Sequence, residues 1–597
     1  MPAIRYSIAM PEPRAHLFEV SIDVRDADGE FVDLVMPVWT PGSYKVRDYA
    51  RNVQDFAAPG RRWGKTAKHR WRVFLAGKRD FRATYRVYAF ELNVRGLHLD
   101  ADHGYFNGAA VFMYVDGWKH APATVDVKTP AGWRVATGLE RVGPGRYRAA
   151  DYDTIVDAPV ECGTFEWRTW RQFDREHRLA IHGPVNEDRA KIVGDLKRMI
   201  AAEADVFGGV PYRDYTFILH TTGGDYGGLE HLNSTSLQYP PQFRPRDKYE
   251  KFLQLAAHEF FHLWNVKRIH PVGLGPFDYE KETYTGLLWV MEGFTSFYEV
   301  MALRRARLVS TKNTLKVWAE RMQGFLDKPG RRHQSVAESS FDTWVKFYNP
   351  TEHTPNAQVS YYEKGALVGL CLDLEIRGRT QGRKSLDDVM RTLWDEWGRR
   401  GVGFPEPEFK RTVERVAGST FDEFWWDYVD GTVEIDFDRF LHHAGGRLAR
   451  EPKKEDDKPL PPTKTWLGIA GGRVGDRVLV NTVRAGSPAE EAGLCARDEI
   501  VAIDGLRVSA DDWERRVEER KPGERVTVAI LRGPLLREVS VALGAKENAT
   551  WAIKTVERPS ALQQRIYESW MAEKWPKEPR VKRHTSKPKS RDRKRRR

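Results

Sequence analysis

The 597-residue sequence predicts a multidomain protein: an N-terminal all-β domain, an α+β domain with a mostly helical C-terminal part, a small mixed module, and a disordered basic tail. Three observations carry this. Hydrophobic residues recur with period two up to about residue 170 and with helical spacing over much of 185–445. A charged, proline-rich stretch at 449–465 then separates the helical part from the small module. Charge, finally, is piled at the end: residues 580–597 hold eleven Lys/Arg and one Asp, which is ten of the twelve net positive charges, so residues 1–579 carry only +2.

A nearly neutral body excludes a protein that binds nucleic acid over its whole surface, and leaves at most a non-specific contact through the tail. With 20 Trp and 28 Phe the chain can build large cores, and its length calls for several of them. Cys162, Cys371 and Cys495 lie too far apart in sequence for a disulfide framework or a paired metal knuckle. The N-terminus shows no basic segment followed by an apolar one, and no apolar run reaches membrane-spanning length. A cytoplasmic protein with no membrane partner is expected.

Residues 1–172 form the first predicted domain. Phe18, Val20, Ile22 and Val24 alternate with polar residues, as do Phe81, Ala83, Tyr85 and Val87, the pattern of half-buried strands in a β-sandwich. Pro37–Tyr44 is a dense turn segment, either a rigid loop or a wall against a neighbouring domain.

The second domain is expected over 173–450. Ile192, Leu196, Met199 and Ile200 have helical spacing, and Tyr215–His220 reads as a strand. Gly223-Gly224-Asp225-Tyr226-Gly227-Gly228-Leu229-Glu230 comes next, and its glycines let another backbone approach. A peptide added as an extra strand along Gly227 and Gly228 would bring a charged group to Glu230. A flexible loop with a surface Glu fits the same stretch equally well.

Leu255–Trp264 reads as a helix carrying His258-Glu259-Phe260-Phe261-His262. Histidines four apart share one helical face, so both can bind one zinc ion, and Glu259 between them is placed as a general base for water. Paired histidines also occur as ordinary polar residues on helix surfaces, but the apolar residues around this pair point to burial, where imidazoles need partners. A catalytic zinc takes three protein ligands. Glu292, inside the apolar run Leu287–Glu299, is the leading third ligand; Glu280, Glu282, Glu299 and His270 compete.

From about 305 helical periods dominate, with Leu315, Trp318 and Met322 on one face and Leu386, Val389, Leu393 and Trp397 on another. Ser360-Tyr361-Tyr362-Glu363-Lys364-Gly365 opens a helix. A tyrosine there either points its hydroxyl into a cleft or packs at the helix start. A linker is expected over 451–465, a compact module over 466–545, and an extension with the basic tail over 546–597.

Taken together, His258–Arg268, Trp289-Val290-Met291-Glu292-Gly293-Phe294-Thr295-Ser296 and Pro37–Tyr44 resemble the glycyl aminopeptidase family, PDZ-containing relatives of thermolysin and of the alanyl and leucyl aminopeptidases. Residues 466–545 resemble a PDZ domain, with Leu467-Gly468-Ile469 matching its carboxylate-binding loop. The resemblance implies a thermolysin-like catalytic domain over 173–450. It implies one zinc per chain on His258, His262 and Glu292, with Glu259 as general base and acid. Gly227-Gly228-Leu229-Glu230-His231 is similar to the exopeptidase motif whose Glu anchors a free α-amine, although Leu229 and His231 replace the usual Met and Asn. Tyr362, rather than the adjacent Tyr361, inherits the oxyanion-stabilising role. The activity implied is removal of N-terminal residues from peptides, Gly and Ala preferred, with a protein C-terminus as a further partner at the PDZ loop. Two alternatives are a zinc endopeptidase of broader specificity and a PDZ scaffold with a vestigial site.

Overall fold

The structure, a computed structural model, describes residues 3–222, 226–455 and 458–576. Gly223, Gly224 and Asp225 of the glycine-rich stretch, and the expected disordered tail from 577 onward, lie outside the described residues.

The N-terminal domain is all-β apart from short helices. Strands β1 (Ala3–Ala9) and β2 (Leu17–Arg25) pair antiparallel within a seven-stranded sheet. The alternation in β2 works as its sequence predicts: Phe18, Val20, Ile22 and Val24 are buried and lie opposite Val87, Tyr85, Ala83 and Phe81. A five-stranded sheet contains β3 (Leu97–Leu99), β4 (His103–Phe106) and β5 (Val160–Gly163), with β4 between the other two.

The second domain starts earlier than 173. Strand β6 (Glu166–Gln172) pairs along its whole length with β7 (Arg175–His182) in a new sheet that continues through β8 (Asp214–His220). The strand period runs unbroken across this boundary, which is why the pattern alone assigns β6 to the first domain. Strand β9 (Gly227–Glu230) lies at the free edge of the sheet, antiparallel to β10 (Ser234–Gln238), which pairs parallel with β8.

Helix α1 (Arg189–Phe207) buries Ile192, Leu196, Met199 and Ile200. Helix α2 (Arg246–Phe261) buries Phe252, Leu253, Ala256, Ala257, Phe260 and Phe261 in the same core. It ends sooner than expected: His262 keeps helical dihedrals as its cap, and the chain then tightens into a turn. The apolar run 287–299 is two helices rather than one, α3 (Leu288–Met291) and α4 (Gly293–Arg305), with Glu292 at the break. Farther along the chain are helices α5 (Thr354–Ala357) and α6 (Tyr361–Arg379), and α6 packs on α4.

The expected linker is partly structured. Strand β11 (Gly446–Pro452) leads into it, and Thr463–Trp466 leads out. The PDZ module contains β12 (Ile469–Val474), β13 (Arg477–Val483) and helix α7 (Trp513–Glu518), around its own core of Leu467, Val478, Val480, Ile500, Val528 and Ile530. The chain then returns along its outward path. Gly544–Glu547 pairs with Thr463–Trp466, and β14 (Ala549–Thr555) pairs with β11 through seven residues. The ribbon meets the helical core through only a few apolar side chains, Leu448, Trp551 and Ile553, so its sequence reads as a linker. Helix α8 (Ala561–Met571) buries Ile566, Trp570 and Met571 in the helical core, so the segment after 545 is not merely an extension. Among the described residues no helix is long and apolar enough to cross a membrane.

Candidate metal centre and active site

Three donors converge between α2 and the α3–α4 break. His258 Nε2 and His262 Nε2 lie 3.1 Å apart, and Glu292 Oε2 lies 3.4 Å from the first and 3.1 Å from the second. Each ring is fixed from behind. His262 Nδ1 donates to the Asn265 carbonyl at 2.8 Å, and His258 Nδ1 bonds Glu299 Oε2 at 2.7 Å. Burial would raise Glu299, but Arg321, 2.5 Å from its other oxygen, and His258 outweigh it and hold it below the usual carboxylate range. With both Nδ1 atoms engaged as donors, the Nε2 lone pairs face one another and Glu292 Oε2, a buried atom with no hydrogen-bond donor among the described residues. Two bare nitrogens and an orphaned carboxylate oxygen at these distances fit one transition-metal ion with outer partners already in place.

Asn265 braces the centre. Its Nδ2 donates to Val290 O, Met291 O and Thr295 Oγ1 at 3.0, 2.8 and 3.1 Å, tying the end of α2 to the break that presents Glu292. Two of the competing acids, Glu280 and Glu299, are engaged by other residues. Glu280 pairs with His69 and Arg70, both at 2.7 Å, and Glu299 orients His258. His270 Nδ1 sits 3.0 Å from the Pro271 carbonyl.

Glu259 is buried beside the two histidines, and its carboxylate lies directly against the backbone of β9. A Cβ placed on Gly228 would overlap the Glu259 carboxylate, so only glycine admits this approach. Burial raises Glu259 against the pull of His258 and His262, with the Glu230 and Glu292 charges adding to the rise. Glu230, at the end of the same edge strand, is also buried, and donor atoms of Glu230, Glu259 and His262 lie within 4.8 Å of one another. Gly227 lies one residue before Gly228 on this exposed edge.

The two tyrosines at the start of α6 differ in placement. Tyr361 is fully buried and its hydroxyl accepts from Thr343 Oγ1 at 3.0 Å. Tyr362 is half-buried, with its ring 6.2 Å from that of His258. Burial, with Glu292 adding to it, raises the Tyr362 phenol well above its ordinary range, so it keeps its proton at neutral pH.

The N-terminal domain completes the cleft. Trp39 Nε1 donates to Asp278 O and Lys281 O, both at 2.9 Å, and Val38 N donates to Tyr279 O at 2.8 Å. A Cβ on Gly42 would meet Leu229 Cδ1 at 2.5 Å and the Glu230 oxygens at 2.8 and 2.9 Å. Tyr44 stacks edge-on with Trp344 and Tyr348 in the same wall. The Pro37–Tyr44 segment is therefore a wall on Glu230. Sequence reasoning misses Asn265, although a polar residue in the buried run after His262 is its signal. Leu467, Gly468 and Ile469 belong to the separate PDZ core. Gly468 O accepts from Arg484 N at 2.9 Å, and Ile469 opens β12, the free edge strand against which Trp513 of α7 packs.

Comparison with known proteins agrees with this architecture. The Peptidase M61 N-terminal domain model matches residues 5–164, the M61 glycyl aminopeptidase model residues 251–368, and a PDZ domain model residues 465–543. The crystal structure of an aminopeptidase N family protein from Idiomarina loihiensis is similar with a TM-score of 0.89 and 29% sequence identity, over 94% of this chain and 100% of that one. Two curated proteins of Bacillus subtilis (strain 168) match over shorter stretches. Serine protease Do-like HtrB is 40% identical over 81 residues and serine protease Do-like HtrA 34% identical over 86, covering 13% and 14% of this chain. The chain spans only 18% and 19% of the length of those two. Both domain models of one family match this chain, and the catalytic one encloses the His258–Glu292 centre, which supports the M61 glycyl aminopeptidase family.

Proposed function

We propose that the protein is a zinc-dependent aminopeptidase that removes N-terminal residues, Gly and Ala preferred, with one catalytic zinc on His258, His262 and Glu292. The observation that carries this reading is the 4.8 Å cluster of Glu230, Glu259 and His262 donor atoms. A carboxylate that close to the base and the metal ligands leaves room for one residue between an anchored α-amine and the bond to be cut.

A zinc ion at this centre supplies Lewis acidity, lowering the pKa of water and polarising a carbonyl oxygen. The protein's own groups do the rest. Glu230 accepts the substrate's α-ammonium and fixes the register. The free edge of β9 at Gly227 and Gly228 offers backbone partners to the substrate strand. Glu259, held high by burial, takes a proton from the attacking water and returns it to the leaving amine. The Tyr362 hydroxyl donates to the oxyanion, a contribution typically worth about 10²–10³ in rate. Leu229 and the Gly42 backbone crowd the amine anchor, which supports a small first side chain. The Leu467–Ile469 loop and β12 take a protein C-terminus, and the 580–597 tail makes at most non-specific contacts with nucleic acid.

The test is hydrolysis of aminoacyl p-nitroanilides and their N-acetylated forms, with and without chelator. Chelator-sensitive cleavage of glycyl and alanyl substrates, abolished by acetylation, is expected. Glu230→Ala should lower kcat/KM for free amines roughly 10²–10³-fold, the weight of a lost buried charge pair. Equal cleavage of acetylated substrates would replace the exopeptidase with an endopeptidase. No cleavage by zinc-loaded protein would make the PDZ module the working part.

A further inference from the structure

A second cluster of metal-type donors lies where the N-terminal domain meets the sheet of the second, and it shares no residue with the catalytic centre. Glu161 on β5 is wholly buried, with His103 Nδ1 of β4 at 3.1 Å from one oxygen and His220 Nε2 of β8 at 2.9 Å from the other. His182, at the end of β7, stacks on His103 with ring centroids 3.6 Å apart and planes 16° from parallel. His98 on β3 lies 4.8 Å from the His103 ring, with its Nε2 3.0 Å from Asp100. One donor atom each from His103, Glu161 and His182 falls within 4.8 Å of the others, and the same holds for His98, Asp100 and His103.

A hydrogen-bond network alone leaves this arrangement unfinished. With Nδ1 of His103 and Nε2 of His220 donating to Glu161, each ring retains a bare lone pair. His98 Nδ1, at the rim of the cluster, is buried without a partner among the described residues. Two imidazoles stacked face to face are poor neighbours if both are charged. Imidazoles with a carboxylate are the donor set of zinc, cobalt and nickel rather than of magnesium or calcium.

We propose that His103, Glu161 and His182, with His98 and Asp100 at the rim, form a second divalent transition-metal site that clamps the N-terminal domain to the second domain. His220 holds the Glu161 carboxylate from behind, as an outer partner does. The ligands come from strands of both domains, so occupancy ties β4 and β5 to β7. Any proton that Glu161 holds on His103 leaves when the metal enters, so affinity weakens as pH is lowered.

The experiment is zinc stoichiometry by elemental analysis after stripping full-length protein with chelator and dialysing it against Zn²⁺. Wild type is expected to hold about two ions per chain, and His182→Gln about one, with glycyl p-nitroanilide cleavage within about twofold of wild type. The double variant His258→Gln/His262→Gln is expected to keep about one. Wild type holding about one ion, unchanged in His182→Gln, would overturn the second site and leave the catalytic centre untouched. Metal lost from His182→Gln but fully kept by the double variant would instead overturn the catalytic metal and leave this site standing. The wild type and His182→Gln decide the matter even if the double variant does not fold.

Discussion

Glu203 sits on the buried face of α1, with Met199 and Ile200 one turn before it and Phe207 one turn after. Neither of its carboxylate oxygens finds a donor among the described residues. Burial raises it well above the ordinary carboxylate range; His258 opposes the rise and Glu299 adds to it. The group therefore holds its proton to higher pH in the fold than in the unfolded chain. Folding then takes up a proton, so stability falls as pH rises above the ordinary carboxylate range and stops falling once the folded pKa is passed. The slope is about 1.4 kcal/mol per pH unit for one such group. Glu203→Gln keeps the shape and removes the titration, so urea unfolding across neutral pH should show a slope shallower by that amount. Parallel slopes in variant and wild type would rule the account out. The signal is present in the sequence: a carboxylate on the apolar face of an otherwise regular helix. Glu292 stands out in the sequence by the same kind of signal. The choice between Tyr361 and Tyr362 is not legible in this way, because it depends on how α6 is rotated against Thr343 and His258.

At the scale of elements, the centre depends on how closely α4 and α6 cross. A Cβ on Gly293 would meet Gly365 Cα and C at 2.5 Å, and one on Gly365 would meet Trp289 O at 2.7 Å. The crossing lies one residue after Glu292 and three after Tyr362, so it sets the spacing between the leading third ligand and the tyrosine. Glycine inside a helix costs roughly 1 kcal/mol relative to alanine. Gly365→Ala regains that propensity but forces two backbones apart, and overpacking of this kind costs about 1–3 kcal/mol. The variant should lower kcat at least tenfold and weaken zinc retention, read by turnover and by chelator competition on the same preparation. Wild-type turnover would show that the crossing does not set the site. The helices themselves are legible from their periods and from Ser360, which caps α6 through Glu363 N. Their contact is not, since nothing local in either glycine says which helix it faces. The two-stranded ribbon at 446–466 is hidden for a related reason: its pairing partner is nearly a hundred residues away, beyond the PDZ module.

For the whole molecule, the cleft is assembled by separate folding units rather than by the catalytic domain alone. The PDZ module is fastened to α5 by Asn356, whose Nδ2 donates to Val483 O at 2.8 Å and whose Oδ1 accepts from Ala485 N at 3.1 Å, just before the tyrosines of α6. On the other side, the N-terminal domain delivers Gly42, in left-handed backbone at φ +84, onto Glu230. An alanine there is strained by its dihedral and has no room for its methyl group. The proposed zinc ligands sit on α2 and at the α3–α4 break, which this loop does not touch through Gly42. Gly42→Ala should therefore leave zinc content unchanged while displacing the Glu230 carboxylate. The expected result is a fall of at least tenfold in kcat/KM for glycyl p-nitroanilide, with a much smaller effect on any residual cleavage of the acetylated compound. Loss of zinc together with activity would mean that the N-terminal domain supports the metal centre itself. Unchanged kinetics with full zinc would mean that the amine anchor belongs to the second domain alone.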